Sequence, residues 1–164
     1  MQVLNIMHVN VVCSDLDRSL HFYRDLLGAQ VHQFLDEADT DLRPALGIGP
    51  DGPEEFRAAL LYWGDARGGP YIDLLEWQSL QAGETRQRDP LGAQDLGLVR
   101  VSLTVDDLGA FADTLRDNDV PLLAPIHDTR IGPWRLRILV SRDPDGTLVQ
   151  LVDFPEGTRR RRDE

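Results

Sequence analysis

Met7 to Val31 read "MHVNVVCSDLDRSLHFYRDLLGAQV". The first residues alternate as a strand does, an Asp-Leu pair enters a helix, Leu16, Leu20, Tyr23 and Leu27 recur near helical spacing, and Gly28 supplies the stop. Val99 to Leu123, "VRVSLTVDDLGAFADTLRDNDVPLL", repeat that order, with Leu108, Phe111 and Leu115 on the helix and "DND" closing it. Asp15 then matches Asp107, Leu16 matches Leu108, and His8 matches Arg100. One unit is written twice.

Strand-like segments follow each helix: "AQVHQFL", "EFRAALLYWG" and "YIDLLEWQ" in the first unit, "VPLLAP", "WRLRILVSR" and "TLVQLVDF" in the second. Clusters of glycine, proline and aspartate such as "GDARGGP", "DTRIGP" and "DPDG" mark turns between them. The expected order is βαβββ, repeated, which is an α+β fold. Superposing the last strands puts Glu76 opposite Gln150, so the offset of 92 at the first strand falls to 74 and the first unit is 18 residues longer. The surplus lies around residues 36–55, "DEADTDLRPALGIGPDGPEE", a polar insertion that reads either as a surface loop or as a lid. The expected boundaries are a first module over 1–80, a linker over 81–96, a second module over 97–155 and an arginine-rich tail over 156–164.

At 164 residues, 41% hydrophobic and 27% charged, the chain has core material for one globular domain or two small fused modules. No apolar run reaches the length of a membrane span, and "MQVLNIMHVN" lacks the basic-then-apolar order of a signal peptide, so a cytoplasmic protein is the expectation. The single cysteine, Cys13, excludes an intrachain disulfide framework and a cysteine zinc cluster. A formal net charge of −11 disfavours nucleic acid as a partner. All 17 basic residues are arginine, which removes Schiff-base chemistry, pyridoxal phosphate attachment and the phosphate-loop lysine.

The stretches "HVNVVCSDLDRSLHFYRDLLG", "VSLTVDDLGAFADTLRDNDV" and "SRDPDGTLVQLVDFP", with the strand "IDLLEW", resemble the vicinal oxygen chelate superfamily. That superfamily includes glyoxalase I, methylmalonyl-CoA epimerase, extradiol dioxygenases and the fosfomycin and bleomycin resistance proteins. The resemblance implies two βαβββ modules forming a cup-shaped mixed sheet with helices packed outside, and ligands presented from the first and last strand of each module. Carried onto this chain, the cup positions are His8, Glu76, Arg100 and Gln150. Period-two alternation adds Asn10 to the face of His8, Ser102 to that of Arg100, and Ile72 and Leu74 to that of Glu76. Leu148 and Trp134 complete the expected substrate-contacting set, Trp134 because it follows a turn beside the cup.

His8, Glu76 and Gln150 are three potential metal ligands, but Arg100 cannot ligate and its charge opposes a dication. The expectation is therefore no resident metal or other cofactor. Without one, Arg100 is suited to hold an oxyanion, His8 to move a proton, Glu76 to orient it or act as base, and Gln150 to give one hydrogen bond. A structural reading stays open beside this, in which Arg100 and Glu76 form an ion pair within a packed core. The functional expectation is a lyase or isomerase (dehydratase, cyclase or epimerase) working on an oxygenated small molecule such as a polyketide or aromatic intermediate. A bleomycin-type drug-binding protein and a metal-dependent glyoxalase-like enzyme are the alternatives. The resemblance also implies a homodimer, while the net charge and the lack of a long apolar run leave no nucleic acid or membrane partner expected.

Overall fold

The computed structural model describes residues 2–65, 70–78 and 89–155; residues 81–88 of the expected linker and the arginine tail lie outside them. The chain divides into two compact units, Met1–Arg88 and Asp89–Glu164. In the first, strands β1 (His8–Val12), β2 (Gln30–Asp36), β3 (Phe56–Tyr62) and β4 (Tyr71–Trp77) form a sheet of order β1-β4-β3-β2. β1 runs parallel to β4, while β3 is antiparallel to both its neighbours. In the second, β5 (Arg100–Thr104), β6 (His127–Ile131), β7 (Trp134–Arg142) and β8 (Leu148–Asp153) repeat the pattern as β5-β8-β7-β6. The repeat of one βαβββ unit is realised, and the fold class is α+β.

A parallel pair needs a crossover, and a helix supplies it in each unit. Helix α1 (Leu16–Leu20), continued by a π-helical turn over His21–Leu26, and helix α2 (Leu108–Asp117) begin alike. Asp15 Oδ1 accepts the Arg18 amide at 2.9 Å and Asp107 Oδ1 accepts the Ala110 amide at 3.0 Å, satisfying donors that the first helical turn leaves free. The helices end alike too, in left-handed residues: Gly28 at φ 72° and Asp119 at φ 57°. Glycine takes that conformation without a Cβ penalty and aspartate does not. Asp119→Gly is expected to stabilise the protein by about 0.5–1 kcal/mol, read as a higher midpoint in urea with an unchanged slope.

Packing follows the apolar face of each helix. Leu16, Leu20, Phe22 and Tyr23 are buried, and so are Ala59, Leu61, Ile72 and Leu74 of the strands beneath α1. Leu108, Ala112 and Leu115 meet Leu139, Val149 and Leu151 in the same manner. The opposite face of the first sheet carries a smaller cluster of Phe56, Ala58 and Leu75, against which Leu35, Trp77 and Leu42 of the insertion pack. The insertion is thus anchored to the sheet rather than hanging free, and Trp77 belongs to its anchor. Among the described residues no helix is long and apolar enough to cross a membrane.

One expected strand moves. "VPLLAP" contributes only an isolated bridge from Leu122 to Ser141, and β6 forms instead from His127–Ile131, where a turn was expected. Pro121 and Pro125 remove two ladder donors from the first segment. Gly132, at φ 58°, makes the tight connection that lets Ile131 pair with Trp134.

Candidate functional site

Paired residues of neighbouring strands project to the same side of a sheet, so register decides which side chains share a face. In the first unit His8 pairs with Tyr71, Asn10 with Asp73 and Val12 with Leu75. His8, Asn10, Tyr71 and Asp73 therefore occupy the face away from α1. The side chains confirm it, because Asn10 Nδ2 donates to Asp73 Oδ2 at 2.9 Å.

Glu76, three residues beyond Asp73, falls on the other face. It pairs in register with Arg57, whose Nη1 lies 3.5 Å from Glu76 Oε2, and the same oxygen accepts the backbone amide of Leu16 at 3.4 Å. Its position beside the first turn of α1 makes it a carboxylate at a helix start. The grouping of Glu76 with His8 is thereby corrected, and its guanidinium neighbour is Arg57. Leu74 is corrected with it, since it is fully buried on the helix-packed side and closed to a substrate.

The second unit locates the slip. Ser102 pairs with Gln150, as Asn10 does with Asp73. Asp153, buried to 3% exposure, accepts the Leu108 amide at 3.3 Å and Arg137 Nε at 2.9 Å, with a second contact to Arg137 Nη2. Asp153 is thus the counterpart of Glu76, Arg137 of Arg57, and Gln150 of Asp73. The last strands are offset by 77, not 74, and the first unit is longer by 15 residues rather than 18. The signal was present in "IDLLEW" and "VQLVDF", which match position by position as apolar, polar, apolar, apolar, acidic and aromatic.

In the second unit Arg100, Ser102, Leu148 and Gln150 share one face, with Arg100 exposed and Gln150 buried. Trp134 shares the parity of that face. It nevertheless stands six residues along β7 from Val140, the partner of Gln150, a separation of about 20 Å along a strand. Trp134 is therefore too distant to wall the surroundings of Gln150 within this unit.

A model of the family described as Glyoxalase/Bleomycin resistance protein/Dioxygenase superfamily matches residues 5–151. The chain belongs to this superfamily. Solved structures agree on the fold. A glyoxalase family protein from Bacillus cereus is 18% identical at a TM-score of 0.72, with 94% of this chain and 96% of that one covered. A trypanothione-dependent glyoxalase I from Leishmania major is 18% identical at 0.60, covering 92% and 87%. A glyoxalase I variant from Zea mays is 16% identical at 0.62, covering 90% of this chain and 43% of that one. No curated protein matches the sequence.

Within a superfamily that presents metal ligands from first and last strands, the corrected positions are His8, Asp73, Arg100 and Gln150. Histidine and aspartate bind divalent ions well, glutamine offers one neutral oxygen, and arginine offers none. Among the described residues no three His, Cys, Asp or Glu side chains are grouped to hold an ion. Arginine and glutamine at two of these positions depart from the ligand set that the resemblance implies.

Asp73 has the environment of a tuned group. It is 8% exposed, and its Oδ1 is buried without a hydrogen bond among the described residues. Burial pushes its carboxyl above the ordinary 3.8, and the positive charge of His8 and the Asn10 amide pull it back only in part. A carboxyl raised on folding stabilises the folded state below its unfolded value, and that contribution is lost as pH rises through the folded value. Relative to wild type, Asp73→Asn should therefore gain stability as pH is raised from about 4 towards neutrality, measured by urea unfolding at stepped pH. Glu76→Gln should behave differently. Its contacts are long and half-exposed, so about 0.5–1.5 kcal/mol of stability is expected to go while any activity stays.

Proposed function

We propose that the chain is a lyase or isomerase that moves a proton on an oxygenated small molecule without a resident metal. The observation that carries this reading is the exposed His8 on the same sheet face as the buried carboxyl of Asp73, which burial raises above its ordinary value. His8 takes a proton from carbon beside a carbonyl, or gives one to a departing oxygen, and the Asp73 carboxylate favours the imidazolium that forms. Asn10 holds one Asp73 oxygen and so fixes the carboxyl plane. Dehydration, cyclisation and epimerisation all need this chemistry, and a polyketide or aromatic intermediate offers the acidic carbon.

The test is hydrogen exchange at carbon. Chelator-treated protein is mixed in deuterated water with a panel of 1,3-dicarbonyl and β-hydroxyketone compounds, and loss of the α-proton signal is followed by NMR. Exchange or elimination is expected to persist after chelation and to vanish in His8→Gln. Recovery only on adding zinc, nickel or manganese would overturn the metal-free reading. The charge of −11 favours a second reading, sequestration of a cationic drug. Tight binding of a basic antibiotic with no exchange of any panel member would establish that one instead.

A further inference from the structure

Beside His8 and Asp73, the same face of the first sheet carries three rings in mutual contact. Tyr71 pairs with His8 in register, and Tyr62 is the residue of β3 that next faces it. The Tyr62 and Tyr71 centroids are 6.3 Å apart at 73°. His32, in the irregular stretch of β2 between Val31 and Gln33, places its ring 5.1 Å from Tyr71 and 6.3 Å from Tyr62. Tyr62 is further fixed by its hydroxyl, which donates to Gln30 Oε1 at 2.9 Å. Tyr62 and Tyr71 are half-buried and His32 is exposed, so ring surface remains open.

We infer that Tyr62, Tyr71 and His32 form a preordered wall for a planar, conjugated ring of the substrate, leaving the substrate's oxygen-bearing edge towards His8 and Asn10. The inference rests on the proton-transfer reading above and narrows its substrate class to aromatic or fully conjugated cyclic compounds. Three rings already locked by contact and hydrogen bond lose little freedom on binding, and a flat π-surface gains from stacking or edge contact where a puckered aliphatic ring does not. The polar atoms on the wall are the hydroxyls and imidazole nitrogens at its margin, which suits a ligand apolar in its faces and oxygenated at its edge. Asp73, held by Asn10 and buried, stays out of the stacking surface and acts on charge at the edge.

The probes are 2-naphthol and its saturated counterpart decahydro-2-naphthol, titrated into the full-length protein by calorimetry, with ring-proton shifts of the two tyrosines and His32 followed by NMR. The planar probe is expected to bind about tenfold more tightly, the equivalent of one good aromatic contact, and to shift all three rings. Tyr71→Leu should remove most of that preference. His32→Gln, at an exposed position, should weaken it with the fold intact by circular dichroism. Equal affinity for the two probes, or absence of binding by 2-naphthol, would overturn the wall. Carbon-proton exchange together with no planar preference would sink the wall alone. A planar preference together with no exchange would leave the wall standing and sink the proton-transfer reading.

Discussion

Asp73→Asn is expected to lower turnover by about 10²–10⁴-fold while leaving the fold intact, because it removes the carboxylate that favours protonated His8 and keeps the side-chain shape. The size of the loss follows from what remains. Asn10 still has an oxygen to bond, the sheet register is unchanged, and the imidazole stays exposed. Only the stabilisation of the charge developing on His8 goes. The pairing of this result with Glu76→Gln is informative, since a proton-transfer site on the helix side of the sheet would show the reverse order of effects.

Asp153→Ala should produce the largest fall in stability of any single polar change considered. The carboxylate is 3% exposed, receives Arg137 through two nitrogens and caps the start of α2 through the Leu108 amide. Truncation leaves the guanidinium without its partner and the first helical turn without its acceptor, at a cost of about 2–4 kcal/mol. The lower end of the range for buried pairs applies because the Arg137 side chain is 37% exposed. Set against a typical total of ~5–15 kcal/mol, this is a midpoint shift easily read by thermal or urea unfolding. A loss below about 0.5 kcal/mol would mean that the pair contributes nothing beyond a solvated surface contact.

The two effects separate the roles of the polar residues on last strands. Within each unit one residue faces away from the helix (Asp73, Gln150) and one, three positions later, ties the sheet to the helix start (Glu76, Asp153). The repeat, the helices and their aspartate caps were legible in the sequence because local signals define them: Asp-Leu entries, helical spacing and a left-handed stop. The last-strand register is less legible, because side-chain chemistry alone pairs Glu76 with Gln150, whereas the full pattern pairs "IDLLEW" with "VQLVDF". A shift of three is odd, so it exchanged the two faces and brought Glu76 and Leu74 to the wrong side. His8 and Asn10 share a face within the first unit, and Arg100, Ser102 and Gln150 share one within the second, because the helix that follows β1 and β5 fixes the correspondence of those strands. The aromatic wall was illegible for a different reason: Tyr62, Tyr71 and His32 come from three strands, and an irregularity in β2 turns His32 towards the tyrosines.

The central claim is that Asp73, and not Glu76, is the carboxyl that shares a face and a field with His8. Carbon-detected NMR titration of the side-chain carboxyls tests it in wild type, His8→Gln and Glu76→Gln. The predicted result is a midpoint for Asp73 above the ordinary 3.8, raised further when His8 and its positive charge are removed, and unmoved by Glu76→Gln. An Asp73 midpoint at the ordinary carboxylate value, or one that responds to Glu76→Gln and not to His8→Gln, would contradict the account.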